Sequence, residues 1–195
     1  LERAEDLYQE ALNYDSTFSQ AYTGLAWVYW NKHYWETFFA EDFLDSVLIL
    51  SDIALTFDDQ LSEAYLFRAR YYDAVGEKEK AWREYDIALR LSPNNWMALV
   101  SKGNSYREDD LSIALSCYHK AAVLNKGQQL PYIIRSIAGA YGRSGFRYKA
   151  EHYLEEALKF DQDSISHFSW YYTLEMTSGN YRNALGMLEK LYALD

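Results

Sequence analysis

Four histidines, His33, His119, His152 and His167, and one cysteine, Cys117, are the residues from which a metal site or a nucleophilic centre would first be built. None of the histidines stands at metal-ligand spacing from a Cys, an Asp or a second His on one helix face, so no metal is expected. Cys117 and His119 lie two residues apart in IALSCYHKAA, which places them on different faces of a helix and argues against a thiol–imidazole pair. The glycine-rich run GAYGRSG at 139–145 follows a helical pattern rather than a strand and lacks the Lys-Ser/Thr that would reach phosphates. The acidic groups of FDDQ (57–60) and REDD (107–110) fall at helix starts, where carboxylates accept hydrogen bonds from free N–H groups and suit the dipole. No catalytic residue and no cofactor is therefore expected, and the chain is not read as an enzyme.

What remains is recognition chemistry. The stretch WVYWNKHYWETFFAEDF, residues 27–43, holds eight aromatic side chains in seventeen positions, a density that suits either a binding wall or a local core. Four arginines, Arg70, Arg107, Arg135 and Arg143, offer guanidinium forks for bidentate contact with carboxylate or phosphate in a chain of net charge −10. Whether these groups can act together depends on the elements that carry them.

Apolar residues recur at i, i+3, i+4 and i+7 almost throughout, and only two prolines interrupt the chain, so the elements are helices joined by short turns. In residues 64–95, Tyr65, Ala69 and Tyr72 precede Gly76 in a turn, followed by Ala81, Tyr85, Ala88 and Pro93. The order repeats with Leu99, Gly103, Tyr106, Ala114, Tyr118 and Ala121, and again with Ile134, Ala138, Tyr141, Gly145, Ala150, Leu154 and Ala157, at a period of 33 to 36 residues. Small residues let paired helices approach, and Tyr, Phe or Leu fill the gaps between them. Each pair leaves a face uncovered that only a neighbouring pair can bury, which is why such units come in arrays. Helices are expected near 2–13, 18–31, 43–56, 61–75, 78–91, 95–107, 110–123, 130–144, 147–160, 164–178 and 181–194. Ala4, Tyr8 and Ala11 match only a second helix, while Phe168, Tyr172, Gly179, Ala184, Leu188 and Leu191 form a diverged final pair.

This pattern resembles the tetratricopeptide repeat (TPR), a helix-turn-helix unit of 34 residues. The resemblance covers nearly the whole chain and implies an all-α, right-handed superhelix of about five and a half repeats and eleven helices, a single solenoid over 1–195. Tyr29 and Tyr72 stand 43 positions apart, as do Ala11 and Ala54, so an insertion lies within the second repeat around 30–46, inside the aromatic stretch. In the helix before it, Tyr22, Leu25, Ala26 and Tyr29 form the packing stripe, and Thr23, Trp27, Trp30 and Tyr34 a second stripe about 120 degrees away. In this family that second face lines the concave groove in which peptides or partner helices are held. The alternative is that Phe38, Phe39 and Phe43 fold back onto Trp27, Trp30 and Trp35 as a satellite core. The same inward stripe carries Glu63, Leu66 and Arg70 in one copy, Met97, Val100, Asn104 and Arg107 in the next, then Tyr132, Arg135 and Arg143. TPR modules that clamp a peptide's terminal carboxylate use Lys and Asn there; Asn104 matches such an asparagine, but Val100 stands where the lysine belongs. The four arginines suit an acidic segment, unless Arg70 pairs with Asp73 or Glu63 and Arg107 with the acids at 108–110.

The expected function is a protein–protein interaction module whose groove residues are Trp27, Trp30, Tyr34, Arg70, Asn104, Arg107, Arg135 and Arg143. Its partner would be a protein or peptide, an acidic one on the arginine reading, or another domain of the same parent chain. The alternative is a non-catalytic scaffold within an enzyme such as a cyclase-like or transferase protein. EALNYDSTFSQAYTGLAWVYW is similar to repeat arrays of large bacterial regulators, which implies a role in signalling beside a sensor, cyclase-like or DNA-binding helix-turn-helix domain. Acidic residues spread along the chain repel phosphate backbones, so no direct nucleic-acid contact is expected. No apolar run reaches membrane-spanning length, and a lone cysteine fits a reducing compartment, so a cytoplasmic location is expected. The chain begins at Leu1 on half a unit and ends without the polar extra helix that covers a last repeat, as an excised segment would.

Overall fold

A computed structural model describes residues 1–35, 43–161 and 164–193, except for the side chains of Tyr34, Trp35 and Ser164. Eleven helices and no strand occur among the described residues: α1 (Glu2–Tyr14), α2 (Ser19–Trp35), α3 (Phe43–Phe57), α4 (Ser62–Ala74), α5 (Lys78–Leu91), α6 (Trp96–Tyr106), α7 (Leu111–Leu124), α8 (Leu130–Arg143), α9 (Arg147–Leu158), α10 (Ser164–Thr177) and α11 (Tyr181–Tyr192). All eleven correspond to expected spans. The one marked difference is α2, which continues to Trp35 because no glycine or proline stops it in WNKHYW. The α2 extension and the first residues of α3 fall within the span 30–46 where an insertion was expected; residues 36–42, with Phe38 and Phe39, lie outside the described residues.

The turns are specified locally. Gly76, Gly145 and Gly179 take φ of 83, 80 and 74 degrees between the two helices of a pair, a conformation that L side chains resist. Between pairs, Asp15 and Asp58 accept backbone N–H bonds from Thr17 and Gln60 two residues on. Tyr22 and Tyr65 each donate their hydroxyl to the carbonyl six residues earlier, Ser16 and Asp59, so the repeat is visible in its hydrogen bonds as well as in its spacing. Asp110 caps α7 by accepting from the N–H groups of Ser112 and Ile113, the role expected of REDD.

The chain divides into two compact units, Leu1–Ser101 and Lys102–Asp195. In the first, α2 packs on α3 and α4, and α4 on α5. Ala69, Ala81, Ala88 and Ala98 are buried around Leu66 and Tyr85, the small-large alternation read from the spacing. A second cluster joins Ala26, Val47 and Phe67, with Tyr29, Trp30 and Leu50 packed against it. In the second unit α8 packs on α7 and α9, and α10 on α8, α9 and α11. Ala138, Ala150, Leu154 and Leu174 form its core, flanked by Tyr141, Tyr153 and Trp170. Gly103 stands where its repeat counterparts are Ala69 and Ala138, because the ring of buried Tyr118 lies where its Cβ would be, 2.7 Å from the nearest ring carbon.

Candidate partner-binding site

In the first unit the aromatic face is largely self-engaged. Trp30 packs against Ala26, Val47 and Phe67, and the Arg70 guanidinium lies 5.4 Å from the ring centres of both Trp30 and Phe67. Arg70 Nε also donates to Ser101 Oγ at 3.0 Å. Phe43 stacks on Tyr29, 5.7 Å between ring centres. Thr23, assigned to the second stripe, is buried, whereas Trp27 remains 39% exposed. The Tyr34 side chain lies outside the described residues.

The second unit distributes its arginines differently. Arg135 is buried: both its Nη groups donate to Asp161 Oδ2 at 3.1 Å, tying α8 to the segment after α9. Helical phase put Arg135 on the inward stripe, but α8 is packed on several sides and buries ten of its residues, so one stripe does not define its exposed face. Asn104 accepts the hydroxyl of Tyr118 at 2.7 Å, and burial pushes that phenol well above its ordinary range. The side-chain oxygen of the asparagine that matched the family clamp is thus engaged within its own repeat. Arg143 Nη1 bonds Glu108 Oε1 at 2.8 Å, in a pair whose side chains are 41% and 67% exposed. The alternative to a groove of arginines paired Arg107 with the acids at 108–110; Glu108 bonds Arg143, and Arg107 Nε is buried with no hydrogen-bond partner among the described residues.

Arg107 and Arg143 meet at one cavity. It has a volume of about 240 Å³, opens to solvent, and has apolar walls formed by Ala138, Leu154, Trp170 and Leu174. Gly139 and Gly142 let α10 come close: a Cβ on either would fall 2.9 Å from the Trp170 ring or 2.8 Å from a Leu174 methyl. Thr173 and Thr177 on the rim donate their hydroxyls to backbone carbonyls of their own helix, which satisfies those polar groups without a ligand. The spacing of Arg107 and Arg143 was legible in the sequence. The cavity was not, since it depends on how closely α8 and α10 approach at the two glycines.

One buried ion pair escaped the sequence reading. Glu175 is buried and accepts bonds from both Nη groups of Arg147, whose Nε bonds Glu151 at 2.8 Å. The Arg147 bond holds the Glu175 carboxyl below its usual range. Its only signal would have been an acid at a core-phase position of α10. Among the described residues, no group of three or more His, Cys, Asp and Glu is placed to hold a metal ion, and no helix is long and apolar enough to cross a membrane.

No family model and no curated relative matches the sequence. Solved structures do. A tetratricopeptide repeat protein from Parabacteroides merdae is 19% identical, with 97% of this chain and 72% of that chain covered and a TM-score of 0.70. PilF from Pseudomonas aeruginosa is 17% identical, with 92% and 77% covered and a TM-score of 0.72. YrrB, described as a TPR protein with an unusual peptide-binding site, is 18% identical, with 98% and 94% covered and a TM-score of 0.61. The chain has the tetratricopeptide-repeat fold.

Proposed function

We propose that this chain is a protein–protein interaction module that holds an acidic polypeptide segment, serving regulation within a larger protein. The reading rests on one observation above others: two arginines, Arg107 and Arg143, line an open, largely apolar cavity in a chain of net charge −10. A local positive patch in an acidic protein draws acidic segments and repels most others, so charge supplies selectivity as well as attraction. The TPR fold is consistent with this role, and the peptide-binding site named for YrrB is a precedent within the same fold. Trp27, exposed on α2, offers a second contact surface within the first unit. Nucleic acid is not a partner on this reading.

The test is binding of the chain to an array of peptides graded from basic to acidic, repeated across a salt series, with duplex DNA as a further probe. Acidic peptides should bind best, and their affinity should fall as salt rises. Equal binding of neutral and acidic peptides, or preference for DNA, would overturn the proposal.

A further inference from the structure

We infer that the cavity between α8 and α10 receives one large apolar side chain of the partner, and that Arg107 and Arg143 take the side-chain carboxylate of a neighbouring Asp or Glu in place of Glu108. This deepens the acidic-partner reading and rests on it.

The cavity, at about 240 Å³, exceeds the roughly 150 Å³ that accommodates a benzene ring, so a Phe or Leu side chain fits. Its walls, Ala138, Leu154, Trp170 and Leu174, give such a group contact on several sides. Glu108 indicates the second half of the ligand. It is a side-chain carboxylate already seated on Arg143, yet the pair is largely exposed, and such pairs contribute little to stability. A partner's carboxylate reaching the same guanidinium from the cavity also meets Arg107, which lines the same cavity as Arg143. Two guanidinium groups serving one carboxylate outcompete the single exposed contact that Glu108 makes. Glu108 is therefore a competitor for the Arg143 guanidinium. The occupant inferred is an internal apolar–acidic pair of residues, since the carboxylate present on Arg143 belongs to a side chain.

The experiment uses the full chain and 12-residue peptides, acetylated and amidated, carrying a single Phe-Glu, Phe-Gln or Ala-Glu pair in a Gly/Ser background. Binding is read from the Trp170 indole N–H signal in NMR, which also reports weak affinities. Phe-Glu should shift that signal, with Phe-Gln and Ala-Glu at least about tenfold weaker. Arg107→Gln and Arg143→Gln should each weaken Phe-Glu binding by a similar factor. Thr173→Trp, at an exposed rim position, should abolish it by filling the cavity, with the helical spectrum and unfolding midpoint confirming an intact fold. Glu108→Gln should bind Phe-Glu a few-fold more tightly than the parent chain. The inference falls if Phe-Gln binds as well as Phe-Glu, if Glu108→Gln weakens binding or leaves it unchanged, or if folded Thr173→Trp binds normally. Acidic array peptides that still bind Thr173→Trp would remove this cavity and leave the interaction module standing; loss of acidic preference in the parent chain would remove both.

Discussion

The two units treat rings and arginines in opposite ways. In the first, Trp30 lies beneath Arg70 and against Phe67, and Arg68 is held by both Asp52 and Glu84, so the cationic and aromatic groups satisfy one another. In the second, Arg135 and Arg147 are consumed by Asp161 and Glu175, while Arg107 and Arg143 flank a cavity walled by Trp170. Residue type does not separate an arginine that holds the fold from one that meets a partner. What separates them on the proposed reading is burial of the pair: the Arg135 guanidinium is buried against Asp161, whereas the Arg143–Glu108 pair is largely exposed.

Substitutions test that contrast. Trp30→Ala should have the largest effect, lowering unfolding free energy by about 2 to 3 kcal/mol, since a half-buried ring packed on Phe67 leaves a cavity when removed. Urea unfolding followed by circular dichroism reads it; an unchanged midpoint would return Trp30 to the partner surface. Arg147→Ala should cost about 2 kcal/mol at neutral pH, because it leaves the buried Glu175 carboxylate with fewer donors. The pH dependence has a definite sign. The folded-state value of Glu175 lies below its ordinary 4.5, so its contribution is present above that pH and is lost as pH falls through the lowered value. The gap between parent and Arg147→Ala should therefore narrow in acid, and a gap that widens would refute the pairing.

Gly103→Ala pits two magnitudes against each other. Alanine favours a helix by about 1 kcal/mol over glycine, but crowding a packed core costs about 1 to 3 kcal/mol. Because the Tyr118 ring is fully buried and its hydroxyl bonds Asn104, it cannot easily move aside. A net loss of about 1 kcal/mol is expected by the same unfolding measurement, although alanine is the residue at the equivalent positions 69 and 138. Trp27→Ala should change stability least, by under about 0.5 kcal/mol, while reducing capture of any partner that uses the first unit.

These cases show how far the sequence could be read. Helix positions and turns were legible because Ala, Gly and Tyr recur at a fixed period and each has a local effect, from the left-handed turn at Gly76 to the packing of Tyr85 among alanines. The candidate site was legible only in part. Helical phase assigns a residue to a stripe, but α8 buries residues around most of its circumference, so phase could not distinguish buried Arg135 from exposed Arg143. Asn104 looked like a ligand group and proved to accept the Tyr118 hydroxyl, a contact with a residue fourteen positions away that its own helix could not announce. The cavity needed the approach distance of two helices, which Gly139 and Gly142 permit without specifying.

On the proposed reading, arginines that hold the fold and arginines that meet the partner are different residues. Arg107→Gln and Arg135→Gln test it most directly when unfolding midpoint and Phe-Glu peptide affinity are measured on the same samples. Arg107→Gln should weaken peptide binding by at least about tenfold with the midpoint unchanged, and Arg135→Gln should lower the midpoint with affinity retained by the folded fraction. If Arg107→Gln instead destabilises the fold with affinity intact, or if both variants lose stability and binding together, the separation of roles is wrong.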